Sequence, residues 1–343
     1  MLEFKKYNSI ENSFDHGFME RVMSETPSDL VYVVQEKVHG TNTSFLCDGK
    51  EVKFAKRTSM LADDEAFYDY QEIVERYRER VINLFEDIKA NYPDTTQISL
   101  FGEMFGGRYP HNDVKANHNV SLIQKGVYYS PDHEFYAFDI FLFAGDNSRY
   151  LPVEEVNVLF ESHGLFYART LFIGTLQECL SYPNAFQSKI AEWLGLPPID
   201  DNICEGVVIR PVTPQYLRNG SRVIIKNKNE RFAEKKSAKK RNKLFNEPIP
   251  YSDTLKVLIS EADNYVTENR LNNVMSHIGE VSVPKDLGKI IGLFSKDTLD
   301  DFLKEHEGEY VALDKCEQKT FNKVLNGYCT TLVKKVLLFS PQT

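Results

Sequence analysis

The spacing of apolar positions changes partway along the chain. Up to about residue 230, short runs rich in Val, Ile, Phe and Tyr recur: "LVYVVQEKV", "EVKFAKR", "QISLFGEMF", "HEFYAFDIFLF", "EGVVIRP" and "SRVIIKNKN". Several alternate apolar with polar positions, the period-two pattern of half-buried antiparallel strands. One helical stretch interrupts them, "DDEAFYDYQEIVERYRERVINLFEDIKANY" (63–92), with acids at its start, where a helix dipole favours negative charge. Beyond residue 253 the spacing becomes three and four. Leu255, Leu258, Ile259, Ala262 and Val266 form one stripe, and Leu271, Val274 and Ile278 a second before Gly279. Phe321, Val324, Leu325, Tyr328, Leu332 and Val336 form another. "SKDTLDDFLKEH" offers Ser295 as the cap of a further helix. Between the two regimes, "AEKKSAKKRNKLFNEPIPYSD" (233–253) substitutes charge and proline for periodicity, as a domain boundary does. The pattern predicts an α+β domain of antiparallel sheets with flanking helices over 1–240, a linker over 241–252 and a small all-helical domain over 253–343.

Composition sharpens this only locally. At 343 residues, 42% hydrophobic and 27% charged, the chain has the make-up of an ordinary globular protein with room for two cores. No stretch approaches the roughly 18 apolar residues of a membrane span. The start, "MLEFKKYNSIENSFDHG", has no apolar core of a secretory signal, and its early acids do not suit an organellar leader. The five cysteines never form CxxC, so reduced thiols in a cytoplasmic compartment (the host cytosol for a viral protein) and no zinc site are expected. A net charge of −9 opposes indiscriminate nucleic-acid coating, yet residues 218–243 hold eleven Lys/Arg against Glu230 and Glu234. A stripe this basic is expected to meet a polyanion with its first half and to serve as linker with its second.

The chemistry centres on a lysine in an odd place. "EKVHGTN" puts Lys37 between two strand-like runs, beside His39, Gly40 and Asn42. Phosphate-binding loops of the GK[ST] type, GxGxxG, HExxH and GxSxG are all absent, so phosphates would have to be handled by side chains. An unperturbed lysine, with a pKa of about 10.4, is neutral in only about one molecule in a thousand at pH 7.5. Nearby cations, a metal or desolvation must favour the neutral form before it can attack. Lys226 and Lys228 in "IIKNK" supply cations on one strand face.

In order, the chain reads KVHG (Lys37 to Gly40), FAKRT (Arg57), FGE (Glu103), FYAFDI (Phe138, Asp139), EGVVIRP (Glu205) and IIKNK (Lys226, Lys228). This order resembles the covalent nucleotidyltransferases, the polynucleotide ligases and mRNA capping enzymes. "EKVHGTN", "AKRT", "LRNGSRVIIKNKN", "RFAEKK" and "YVTENRLNNVMSHIGE" narrow the resemblance to the RNA ligase 2 family, which includes a bacteriophage T4 enzyme and the kinetoplastid RNA-editing ligases. The resemblance covers nearly the whole chain.

It implies an ATP-dependent ligase with Mg²⁺, or Mn²⁺, that seals 3′-OH/5′-phosphate nicks in duplex RNA through a lysyl-AMP on Lys37 and an adenylylated 5′ end. The family assigns the nucleotide to Glu36, Val38, His39, Asn42, Arg57, Glu103, Phe138 and Arg210, with Arg57 and Glu103 on the ribose and Phe138 stacked on adenine. Metal-binding carboxylates would be Glu103, Asp139 and Glu205, while Lys226 and Lys228 neutralise the phosphate. RNA contacts are expected at Arg218, Arg222, Arg270, Asn272 and Asn273. Two departures stand out. Arg210 replaces a lysine of the phage enzyme at the adenine-reading position, a change that alters donor geometry. The stretch 106–134 is longer than its phage counterpart; its His111, His118 and His133 lack metal-site spacing, and an ordered substrate-side loop is expected.

Capping enzymes and DNA ligases would share Lys37 but usually continue into a β-barrel, which the helical periodicity here does not suggest. A noncatalytic RNA-binding protein would account for the basic stripe, not for the ordered lysine, acids and arginine. The expected partners are ATP and RNA, with no membrane, acting as a monomer or within an RNA repair or editing assembly.

Overall fold

The structure, a computed structural model, describes residues 2–233, 252–279, 281–283 and 285–338. The chain divides into two compact units, Met1–Arg231 and Phe232–Thr343. The expected linker over 241–252, apart from Ser252, lies outside the described residues, as do the lysines and arginine of the basic stripe from 235 to 243.

Through the first unit run β1 (Glu11–Asn12), α1 (His16–Glu25), β2 (Tyr32–Lys37), β3 (Thr41–Cys47), β4 (Val52–Lys56), β5 (Ser59–Met60) and α2 (Tyr70–Asn91). Next come β6 (Gln97–Arg108), β7 (Ser130–Phe143), β8 (Arg149–Tyr150), α3 (Val153–Ser162), β9 (Thr170–Gly174), α4 (Leu176–Leu180) and α5 (Ile190–Trp193). The last strands are β10 (Gly206–Pro211) and β11 (Ile225–Lys228). They form a five-stranded sheet ordered β1-β11-β10-β2-β9 and a six-stranded sheet ordered β5-β4-β3-β6-β7-β8. All pairings are antiparallel except β1 with β11.

The apolar runs become strands as expected, but the central ones are not half-buried. Every residue of β3 is buried, because α2 covers one face of its sheet. Ile73, Tyr77, Val81, Leu84, Phe85 and Ile88 of α2 pack there with Phe45, Phe54, Leu100 and Phe135. β2 is likewise buried at Gln35 and Glu36, so those polar side chains must find partners inside the protein.

The helix expected from residue 63 starts only at Tyr70, since Tyr68 and Asp69 take left-handed backbone angles of 49° and 50° in φ. The acids that suggested its beginning pair with the neighbouring strand instead, Asp63 with Lys53 and Glu65 with Lys56.

The second unit is helical throughout its described regular structure: α6 (Asp253–Tyr265), α7 (Glu268–Ile278), α8 (Leu287–Ala312) and α9 (Lys315–Leu338). Their stripes share one core containing Leu255, Leu258, Leu271, Phe294, Phe302 and Phe321. Ser295 does not cap a helix. It lies inside α8, whose buried row Ile290, Phe294, Thr298 and Phe302 runs through at four-residue spacing, and its hydroxyl donates to Asn326 Oδ1 at 2.8 Å. Among the described residues no helix is long and apolar enough to cross a membrane.

Candidate active site

Lys37 is the last residue of β2, and the three residues after it carry the chain from one sheet to the first strand of the other. Across the five-stranded sheet, Lys37 on β2 and Lys228 on β11 both stand opposite Gly206 of β10. Glu205 immediately precedes that glycine, so the strand pairing brings two ammonium groups to one carboxylate. Lys37 Nζ lies 2.8 Å from Glu205 Oε2, Lys228 Nζ 2.8 Å from Oε1, and His39 Nδ1 3.5 Å from Oε2. Gly206 adopts a φ of +147°, and a Cβ there would run into the carbonyl of Asn227. Glu205 is fully buried. Burial alone would raise its carboxyl, but Lys228, Lys37 and His39 together hold it well below the usual carboxylate range.

The second sheet supplies the opposite side. Glu103 on β6 pairs in register with Asn42 on β3. Burial pushes the Glu103 carboxyl up to about 7, opposed by Lys37, Arg57 and the N–H of Gly40 and reinforced by Glu205. Gly40 fits between these groups because it lacks a side chain; a Cβ would strike the Met104 carbonyl and Glu103 Cγ. Lys37, His39, Arg57, Glu103, Glu205 and Lys228 thus form one mixed-charge cluster. Lys226, on the same strand as Lys228, faces Val208 in register and Asn12 on β1.

Such a cluster can bind a polyphosphate and place an amine against a phosphorus atom. Its donors, two carboxylates without cysteine, suit a hard divalent ion that keeps waters and shares phosphate oxygens. Among the described residues no three His, Cys, Asp or Glu side chains converge as a self-contained metal site, and His111, His118 and His133 do not come together as one. His133 instead bonds the Ser121 carbonyl at 2.7 Å.

A family profile described as RNA ligase matches residues 30–228. The chain belongs to the RNA ligase family. Ligation of RNA ends is the activity that membership carries. A second profile, T4 RNA ligase 2 C-terminal, matches residues 250–331. The chain is similar to the mitochondrial RNA-editing ligase 1 of Trypanosoma brucei brucei, 29% identical over 329 residues, covering 80% of this chain and 70% of that protein. RNA-editing ligase 2 of the same organism is 26% identical over 359 residues, covering 90% and 85%. Among solved structures, an apo mutant of Naegleria gruberi RNA ligase aligns with a TM-score of 0.42 and 15% identity, over 67% of this chain and 56% of that one.

In this RNA ligase several expected site residues sit elsewhere. Glu36 points away from Lys37: its carboxylate accepts from Ser188 Oγ at 2.6 Å and Lys189 N at 2.8 Å, and burial pushes it up to about 7 against those bonds. Any nucleotide contact at Glu36 would therefore use its backbone, and Val38 is buried in the turn. Asp139 is fully buried, with Oδ2 taking Tyr7 Oη at 2.8 Å, Arg210 at 3.0 Å and Arg222 at 2.5 Å. A carboxylate oxygen held by a phenol and two guanidiniums is the centre of a buried ion cluster, while Asp139 Oδ1 is buried without a hydrogen-bond partner.

Arg210 also donates through Nε to Gln35 Oε1 at 3.0 Å and through Nη2 to the Phe138 carbonyl at 2.6 Å. With these bonds it braces three strands. Phe138 is half-buried and packs edge-on against Tyr7, centroids 5.1 Å apart.

Of the RNA contacts, Arg222 is buried against Asp139 and lies 3.7 Å from the Tyr150 ring centroid. Arg270 is buried too, ion-paired with Asp297 at 3.0 Å and with Asp301. Neither can meet RNA without breaking those bonds. Arg218 is exposed, and Asn272 and Asn273 are half-buried on α7. Gln35, Tyr7 and Ser188 escaped sequence reasoning because their partners are 175, 132 and 152 residues away in sequence, with no local motif to mark them.

Proposed function

We propose that this chain is an ATP-dependent RNA ligase that seals 3′-OH/5′-phosphate nicks in duplex RNA, with Lys37 as the covalent nucleophile. The observation that carries the reading is the position of Lys37 Nζ, 2.8 Å from the buried Glu205 and in one cluster with Lys228, His39 and Glu103.

The reaction proceeds in three displacements. Neutral Lys37 attacks the α-phosphorus of ATP, the N–P bond forms as the bond to pyrophosphate breaks, and the ammonium proton is lost. Glu205 orients the amine, while Lys228 and Lys226 stabilise negative charge that builds on the phosphates. AMP then passes to the 5′-phosphate of RNA as the N–P bond breaks and the lysine recovers its proton. Finally the neighbouring 3′-OH attacks the adenylylated phosphate, forming the phosphodiester and releasing AMP. A divalent ion at Glu103 and Glu205 would withdraw charge from the phosphates and orient the leaving group. Arg57 reaches the same side as Glu103 and suits the ribose; Phe138 offers a face to adenine.

Duplex RNA fits the reading because its wide minor groove displays the 2′-hydroxyls by which RNA is told from DNA. The helical unit and Arg218 are the parts offered to that duplex. A capping enzyme or DNA ligase would continue into a barrel, and the described residues after 252 form helices instead. The expected outcome with labelled nucleotides is transfer from α-labelled ATP and not GTP, giving an acid-labile, base-stable adduct. Lys37→Ala and Lys37→Arg should both abolish it, since a permanently charged guanidinium cannot attack. An adduct retained in either variant contradicts the assignment.

A further inference from the structure

The long stretch between β6 and β7 returns to the nucleophile turn and grips its backbone. Tyr129 Oη accepts the N–H of His39 at 3.0 Å, and Gln124 Nε2 donates to the Gly40 carbonyl at 3.1 Å. Both side chains are buried. His39 and Gly40 lie two and three residues after Lys37, and the N–H of Gly40 goes to Glu103. The turn is therefore fixed by three bonds, two of them from a segment remote in sequence.

The segment is itself anchored. Ile123 N donates to the Gly106 carbonyl at 3.2 Å, and the backbone of Tyr128 exchanges two bonds with the side-chain amide of Asn202, which accepts at 2.8 Å and donates at 2.6 Å. Tyr109 Oη donates to the Pro197 carbonyl. Residues 184–204, reached by these bonds, are the same stretch whose Ser188 and Lys189 hold Glu36 on the other face of β2. Lys37 thus sits between two residues pinned on opposite sides by segments that bond each other.

We propose that Tyr129 and Gln124 are positioning residues for the first chemical step, fixing the turn so that Lys37 meets the α-phosphorus in line. This rests on the ligase reading above. Effective molarity falls steeply when a nucleophile can wander, so a slack turn penalises the step in which Lys37 attacks. Lys37 attacks in no later step, and a nick that is already adenylylated makes no use of its nucleophilicity. A general packing role for the segment would harm both.

The test uses the full chain as wild type, Tyr129→Phe and Gln124→Met, with Asn117→Ala as a control in the same segment, where Asn117 bonds exposed Asp132 at 2.7 Å. Each is assayed for self-adenylylation across ATP concentrations and for sealing of a pre-adenylylated RNA nick, with thermal melts alongside. The expected result is about a tenfold or greater fall in the adenylylation rate for both variants, with KM for ATP and pre-adenylylated sealing within about twofold. Asn117→Ala should behave as wild type. If Tyr129→Phe does not fold, Gln124→Met decides. Adenylylation within about twofold of wild type, or an equal loss in both reactions, overturns the proposal. A wild-type chain that takes no AMP from ATP overturns the ligase reading and this inference with it.

Discussion

Glu205 and Asp139 are both buried carboxylates facing two cations, yet they serve different ends. Glu205 meets lysines, which can lose a proton or turn to a phosphate; Asp139 meets guanidiniums, which stay charged. The sequence made Lys37, Glu205 and Lys228 legible through their motifs and order. It gave no sign of the ion cluster on Asp139, because Arg210, Arg222 and Tyr7 reach it across two sheets and no local pattern records that. Arg222→Met should leave a buried charge under-compensated and cost about 3–5 kcal/mol of stability by denaturant titration. Adding Asp139→Asn should recover part of the loss, and strict additivity would contradict the ion cluster. Glu36 gives a pH signature. Its carboxyl is raised from 4.5 to about 7 by burial, so the folded state holds the proton more tightly than the unfolded state. Stability from this group is fully present below about pH 4.5 and lost as pH rises through about 7. Melts of wild type and Glu36→Gln from pH 5 to 8 should show the wild type falling behind with rising pH, by up to about 3 kcal/mol. Parallel curves would place Glu36 differently.

The strands were readable as elements because β-branched and aromatic runs announce them, and the switch to three- and four-residue spacing announced the helical unit. Element ends were less legible. Asp63 and Glu65 looked like the opening of α2 but are drawn to Lys53 and Lys56, an attraction decided by tertiary proximity. Ser295 resembled a cap because a serine opens "SKDTLDDFLKEH", but the helix already runs through it, and even polar Thr298 stays buried in its row by donating to the Phe294 carbonyl at 2.7 Å. Ser252 is a genuine cap, its Oγ accepting from Leu255 N at 3.2 Å. Ser252→Ala should therefore destabilise the chain by about 1 kcal/mol, whereas Ser295→Ala should cost less than about 0.5 kcal/mol. Chemical denaturation followed by helical circular dichroism measures both, and the reverse ranking would restore the helix start at Ser295.

The whole molecule is built as two compact units that follow one another along the chain. The mixed-charge cluster around Lys37 lies entirely within Met1–Arg231, and residues 250–331 of the second unit match the T4 RNA ligase 2 C-terminal profile. That division was legible because the composition breaks between the two periodic regimes. A fragment ending near Asn246 should keep self-adenylylation within about twofold, lose most sealing of a 5′-phosphate nick, and lose less on a pre-adenylylated nick. Normal sealing by the fragment would give the helical unit another purpose. The most direct test of the account follows one label through one turnover: the chain is charged with α-labelled ATP, freed of nucleotide, and mixed with nicked duplex RNA and Mg²⁺. The label should leave Lys37, appear on the RNA 5′ end and then emerge as free AMP as the strand lengthens. Sealing without a labelled protein, or a labelled protein whose AMP never reaches RNA, would contradict it.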